Sequence, residues 1–86
     1  MNATVPPVNK SERLREAIEF GARVRELRVK RDLTQEQLAE SAGMNVVQLS
    51  NLERGANEPK LSTILRLAQA LGVTLAEFFR PFDKRK

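Results

Sequence analysis

The chain has 86 residues and a formal net charge of +4, from 15 Lys and Arg against 11 Asp and Glu, and its length gives room for one domain. It contains no cysteine and no histidine, which excludes disulfides and thiolate zinc sites and removes the commonest general base. An enzyme, a metal site and a bound cofactor are therefore not expected, whereas the positive charge favours an anionic partner such as a nucleic acid or an acidic membrane surface.

The start of the chain is predicted to be a flexible arm. Residues 1–10 include two prolines and show no apolar periodicity, and we expect the arm to end where Ser11 caps a helix. This segment lacks the order of a signal peptide, and no apolar run in the chain reaches the ~18 residues that span a bilayer. A soluble, cytoplasmic protein without a membrane partner is expected.

The first helix is predicted to run from Glu12 to about Arg31. Apolar residues recur there at steps of three and four, while Glu and Arg occupy the opposite face, which is typical of an amphipathic helix. The predicted apolar positions are Leu14, Ala17, Ile18, Gly21, Val24 and Leu27.

Two short helices follow. Residues 34–37 have the sequence of a capping box, which starts a second helix, and Gly43 is suited to end it. Asn45, with Gln48 three residues later, caps a third helix that Gly55 ends. This third helix is predicted to extend from Asn45 to Arg54.

The rest of the chain predicts two more helices. The leucine-rich segment Leu61–Leu71 has one apolar side and is followed by Gly72, and Thr74 with Glu77 caps a short last helix before Pro81. No strand pattern occurs, so the sequence predicts an all-α domain of five helices over residues 11–79. The basic tail, residues 80–86, is expected to be mobile unless Phe82 docks it.

The second and third helices, from Gln35 to Arg54, form the arrangement with a specific functional meaning. Two helices that cross at ~90 to 120° around a glycine-containing turn must face each other with apolar side chains, and Ala39 is small where they approach most closely. The predicted facing residues are Leu38, Ala42, Met44, Leu49 and Leu52. This pattern predicts a helix-turn-helix.

Longer motifs carry a resemblance to a known family. They are the runs LTQEQLA at residues 33–39, LSNLERG at residues 49–55 and LAQALGV at residues 67–73, with Gly43 in the turn and Pro59 after it. In this order and spacing the chain resembles the Cro and phage-repressor type, or XRE, family of helix-turn-helix regulators over about residues 20–79. The resemblance implies a compact, lambda-repressor-like domain that binds double-stranded DNA, with its third helix in the major groove.

The resemblance also implies which residues face the bases. Gln48 and Asn51 carry amides suited to bidentate contact with adenine, while valine side chains pack only on thymine methyl groups. Half-sites that contain A·T pairs are therefore expected, although core or turn packing remains an alternative for both valines. The implied base-reading residues are Asn45, Val46, Val47, Gln48 and Asn51.

Further residues are assigned by the resemblance to the phosphate backbone. Gln35 begins the second helix, where the helix dipole independently favours an anion. For Arg54 and Lys60 the alternative is a solvated surface charge without a contact to DNA. The resemblance further implies a partly buried ion pair between Arg28 and Glu53. The implied phosphate contacts are Gln35, Arg28, Arg54, Asn57 and Lys60.

The end of the last helix is rich in phenylalanine. Regulators of this type usually bind palindromes as dimers, so we expect Phe78 to face the core while Leu75, Phe79 and Phe82 contribute to a homodimer interface. The alternative is that all these side chains pack within one monomer.

Three functions from different classes are compatible with the sequence. The first is a sequence-specific transcriptional regulator, either free-standing or a restriction-modification controller protein, which has about this length. The second is an antitoxin, whose toxin-binding segment would be residues 1–10 or 80–86. The third is a protein-interaction module of the same fold. With one domain, a pocket for a small-molecule effector is not expected.

Overall fold

A computed structural model describes residue 7 and residues 9–84 of the chain. No strand occurs in this part, and five α-helices follow one another, so the predicted all-α, five-helix fold is confirmed. The last α-helix continues into a 3-10 helix. The elements are α1 (Lys10–Lys30), α2 (Gln35–Ala42), α3 (Val46–Glu53), α4 (Leu61–Leu71), α5 (Leu75–Phe79) and the 3-10 helix (Arg80–Lys84).

The start of α1 differs from the prediction. Asn9, and not Ser11, is the cap: its side-chain oxygen accepts from the backbone N–H of Glu12 at 2.9 Å, and the Glu12 carboxylate accepts from the Asn9 N–H at 3.2 Å. This capping box satisfies two donors at the helix end, so α1 begins inside the predicted arm. Residues 1–6 and 8 of that arm lie outside the described residues.

The caps of α2 and α3 are confirmed. The Thr34 hydroxyl accepts from the Gln37 N–H at 3.0 Å, and the Gln37 side chain accepts from the Thr34 N–H at 2.9 Å. Gly43 ends α2 in the left-handed region with φ 69°. The Asn45 side chain then accepts from the Gln48 N–H at 2.7 Å to start α3. These local bonds set the tight turn between the two helices.

The core lies where the five helices meet. The side chains with no exposed surface come from all five helices and are those of Val24, Leu38, Leu49, Leu67, Leu71 and Phe78. The predicted apolar face of α1 is partly wrong, because Leu14 and Ile18 are 51% and 55% exposed while Phe20 is buried. Ala17, one residue before Ile18, is 6% exposed, so the other helices cover a face of α1 that leaves Leu14 and Ile18 largely to solvent.

A buried arginine joins α1 to the end of α5. Arg23 donates from Nε to the Phe78 carbonyl at 2.7 Å and from Nη2 to the Glu77 carbonyl at 2.6 Å, and it pairs with Glu26 at 3.0 Å. These bonds give a side-chain partner to two of the last carbonyls of α5, of which that of Glu77 also accepts from the Arg80 N–H. They fix the C-terminal end of α5 to the body of the domain.

Four phenylalanines continue this attachment. The ring centroids of Phe20 and Phe78 are 5.2 Å apart, those of Phe78 and Phe79 are 4.9 Å apart, and those of Phe79 and Phe82 are 5.4 Å apart. Edge and tilted ring pairs of this kind add to the burial of their apolar area. Phe82 therefore docks the 3-10 helix on the domain. From the sequence, a mobile tail is expected unless Phe82 makes such a contact.

No single helix in the described part of the chain is long and apolar enough to cross a membrane. By length and composition alone, the two consecutive segments Leu61–Leu71 and Leu75–Asp83 could together cross a membrane, but they are bent by 104° at their junction. Among the same residues, no group of three acidic, histidine or cysteine side chains is placed to hold a metal ion.

Candidate nucleic-acid interface

The third helix is held by direct contact of its backbone with α1. Leu49 and Leu52 are buried, and a Cβ built on Gly21 of α1 would lie 2.2 Å from the Leu52 carbonyl oxygen and 2.7 Å from that of Glu53. Only a residue without a side chain permits this approach. Gly21 therefore sets the distance between the two helices, and the opposite face of α3 is left to solvent.

The solvent-facing side of α3 contains most of the predicted base-reading residues. Asn45 and Gln48 are exposed, Val47 is 65% exposed, and Asn51 is half-buried. Val46 differs, because it is half-buried and packs against the core cluster. Core packing, left open for both valines, thus describes Val46, while Val47 presents its methyl groups to solvent.

Two of these residues are already engaged within the protein. The Asn45 side-chain oxygen caps α3, and the Asn51 side-chain oxygen accepts a hydrogen bond from Nη2 of Arg54. The sequence suggested the first bond through the capping pattern. It gave no sign of the second, because that bond depends on the side-chain conformation of an exposed arginine.

A buried network connects α1, α2 and α3. Arg28 donates from Nε to Glu53 Oε2 at 2.7 Å and from Nη2 to Glu53 Oε1 at 3.1 Å, so the ion pair implied by the resemblance is present. The two side chains are 12% and 2% exposed. Arg28 also donates to the Leu33 carbonyl at 2.8 Å, and Gln35 Nε2 donates to Glu53 Oε1 at 3.0 Å. The last two contacts were not predicted.

The predicted phosphate contacts fall into two environments. Arg54, Asn57 and Lys60 are exposed, whereas Gln35 is half-buried and Arg28 is largely enclosed. A small depression of about 100 Å³ brings together residues of α3, the following loop and α4, which are Gln48, Leu52, Asn57, Glu58, Pro59, Lys60 and Thr63. The structure thus places Gln48, a predicted base-reading residue, beside Asn57 and Lys60, which are predicted phosphate contacts. Thr63 also lines the depression, although no sequence pattern singled it out.

The predicted dimer residues also differ in their surroundings. Leu75 is 43% exposed at the start of α5. Phe79 and Phe82 are half-buried, and their rings contact each other and, through Phe79, the core rings of Phe20 and Phe78. Phe78 is fully buried, as expected.

Comparisons with known proteins agree with this architecture. A helix-turn-helix family model, HTH_3, matches residues 24–78. Over 58 residues the chain is 41% identical to the cryptic phage CTXphi transcriptional repressor RstR of Vibrio cholerae, and this match covers 67% of the chain and 52% of RstR. The match therefore spans about half the length of that relative.

Two further relatives are matched over most of their length. An uncharacterized HTH-type transcriptional regulator of Sinorhizobium fredii, y4dJ, is 41% identical over 74% of this chain and 83% of its own. The crystal structure of the restriction-modification controller protein C.AhdI of Aeromonas hydrophila is 38% identical and superposes with a TM-score of 0.73 over 76% of this chain and 98% of its own. On the family model and these identities, the chain belongs to the HTH_3 helix-turn-helix family of XRE-type, DNA-binding transcriptional regulators.

Proposed function

We propose that this chain binds a palindromic operator as a homodimer, with the N-terminal part of α3 in the major groove. The observation that carries the proposal is the exposed face of α3, where Val47 is 65% exposed and Gln48 lies beside Asn57 and Lys60 of the following loop. The N-terminal residues of a recognition helix contact base edges while neighbouring residues contact phosphates.

The residues of α3 contribute to base reading in different ways. Val47 offers methyl groups to a thymine methyl, and the Gln48 side chain provides a donor and an acceptor for an adenine edge. Asn45 and Asn51 retain their amide N–H groups as donors. Val46 is proposed to act at the edge of this surface, since its side chain also packs on the core.

The phosphate contacts are proposed to lie on both sides of α3. Arg54, Asn57 and Lys60 supply exposed donors after the helix. Gln35 stands at the first turn of α2, where unpaired backbone N–H groups and the helix dipole favour an anion. Arg28 has its Nε, Nη1 and Nη2 engaged by Glu53 and Leu33, which supports a structural role over a phosphate contact.

Selection of bound sequences from a random DNA pool tests the proposal. We expect an inverted repeat whose half-sites contain A·T pairs and whose centres are ~34 Å apart, since two-fold protein dimers read half-sites one helical turn apart. Failure to enrich any motif would contradict sequence-specific binding and would favour the protein-interaction module. An enriched single half-site would contradict only the dimer.

The dimer interface is proposed to form around Leu75, with the exposed edges of Phe79 and Phe82 beside it. Leu75→Lys places a charge in this apolar contact, so we expect dissociation to a monomer and a loss of operator affinity of roughly tenfold or more. Sedimentation and DNA titration measure the two effects. Val29→Lys is the matched control, because Val29 is also an exposed apolar residue, at 54%, but lies on α1.

The result of that control decides the location of the interface. If Leu75→Lys remains dimeric, or if Val29→Lys dissociates the dimer equally, the interface around Leu75 is wrong. Circular dichroism of both variants shows that neither effect comes from unfolding.

A restriction-modification controller is the regulatory role that we propose. The similarity to C.AhdI supports it, because the match covers 98% of that small protein and leaves little of it without a counterpart. The gene next to this one is then expected to encode a restriction endonuclease or a DNA methyltransferase. A neighbouring toxin gene would favour the antitoxin alternative instead.

A further inference from the structure

We infer that Arg54 determines base specificity through Asn51, by holding the Asn51 amide so that it offers only donors to DNA. Asn51 then selects a base with a keto oxygen, guanine or thymine, and not the adenine expected of a free asparagine amide. Arg54 is a positioning residue in this inference. The inference rests on the proposed function, since it requires α3 to lie in the major groove.

The first step is the orientation of the Asn51 amide. Arg54 follows Asn51 by three residues, so the two side chains lie on the same face of α3, and Arg54 Nη2 donates to Asn51 Oδ1. A guanidinium has only donors, so the atom of Asn51 that faces it must be the oxygen. The Nδ2 group of Asn51 therefore points away from Arg54.

The second step is that the other asparagine of this surface has the same polarity. The Asn45 side-chain oxygen accepts from the Gln48 backbone N–H at 2.7 Å, which leaves its Nδ2 group as the outward donor. Both asparagines thus turn their oxygens towards donors of the protein. Among the predicted base-reading amides in the described residues, the Gln48 side chain alone has no hydrogen bond to another group of the protein.

The third step concerns the base edges. An asparagine contacts adenine by donating to N7 while accepting from the N6 amino group, so it needs an oxygen lone pair that faces the base. A cation already bound to that oxygen opposes the approach of a second donor, the adenine amino group. Guanine presents O6 and N7, and thymine presents O4, so these bases are matched by a group that only donates.

The experiment compares selected DNA sites for four proteins: the wild-type chain, Asn51→Ala, Arg54→Met and Arg54→Lys. The alanine variant identifies the base pair that Asn51 reads, as the position at which preference is lost. At that position we expect guanine or thymine for the wild-type chain. Arg54→Met keeps a long side chain but removes the donor, so the ratio of adenine to guanine and thymine should rise by about fivefold or more.

The lysine variant separates positioning from charge. Lysine keeps a donor and a positive charge, so Arg54→Lys should retain the wild-type preference, whereas a phosphate contact alone would make Arg54→Met bind all sites more weakly with no change of preference. That uniform loss, or adenine at the Asn51 position in the wild-type chain, would overturn the inference. If the wild-type chain selects no motif, the proposed function fails and this inference fails with it.

Discussion

Glu53→Ala is expected to lower the free energy of unfolding by about 3 to 5 kcal/mol, because it leaves a cation without its partner inside the protein. The Arg28 side chain is 12% exposed, and two of its nitrogens bond to the Glu53 carboxylate, as does the Gln35 amide. Domains of this kind are stable by only about 5 to 15 kcal/mol in total. The variant should therefore lose much of its helical signal at moderate temperature, and with it DNA binding.

Thermal unfolding followed by circular dichroism measures this loss, with ~4 to 8 °C of melting temperature expected for each kcal/mol. Glu40→Ala is the matched control: Glu40 is an exposed glutamate on α2, and its replacement should change stability by less than about 0.5 kcal/mol. A folded Glu53→Ala protein with an unchanged melting temperature would show that the ion pair does not hold the domain together.

A double variant tests whether the instability of Glu53→Ala comes from the unpaired charge of Arg28. Arg28→Met with Glu53→Leu replaces both charges by apolar side chains of similar size, and such replacements are often neutral or stabilising. We expect this protein to be more stable than Glu53→Ala alone. Equal instability would indicate that the bonds of Arg28 to Leu33 and of Gln35 to Glu53 contribute more than the charge pair.

The helix ends could be predicted because their signals are local. Thr34 bonds to Gln37, and Thr74 bonds to Glu77, within one turn of helix. Residues three positions apart in the sequence are neighbours at a helix start, so such a bond can be predicted from spacing alone. Even the error at α1 follows this rule. Glu12 stands three residues after Asn9, which completes a capping box, whereas the residue three after Ser11 is apolar.

Burial along α1 could not be predicted in the same way. Leu14 and Ile18 fit a helical apolar stripe as well as Ala17 and Phe20 do, and only the placement of the other helices decides which pair is covered. The buried Arg23 is a similar case. Its partners are carbonyl groups more than 50 residues away along the chain, and no sequence pattern announces them.

The candidate site also combines features that the sequence predicts with features that depend on how the helices pack. The sequence identified the face of α3 and the pair of Arg28 with Glu53 through the family resemblance. It left core packing open for both valines, because whether Val46 or Val47 packs inward depends on the angle at which α3 leaves the turn. The bond between Asn51 and Arg54 is a matter of side-chain conformation, which periodicity does not report.

Gly21→Ala is expected to destabilise the domain by about 3 kcal/mol and to weaken DNA binding further by moving the reading helix. The new Cβ would lie 2.2 Å from the Leu52 carbonyl oxygen and 2.8 Å from the Glu53 carbonyl carbon, so the backbone of α3 must shift away from α1. Overpacking of this kind typically costs ~1 to 3 kcal/mol, and rigid backbone atoms place it at the upper end. The higher helix propensity of alanine offsets only ~1 kcal/mol of strain.

Gly43→Ala is the matched control, because it adds the same methyl group in open space. A Cβ on Gly43 meets no atom of the described residues beyond its chain neighbours within 4 Å, so its cost, ~1 to 2 kcal/mol, comes from the left-handed backbone alone. At a temperature at which both proteins are fully folded, Gly21→Ala should lose clearly more operator affinity than Gly43→Ala. If Gly21→Ala is instead as stable as the wild-type chain, α1 and α3 can separate without cost, and the close backbone contact does not position the reading helix.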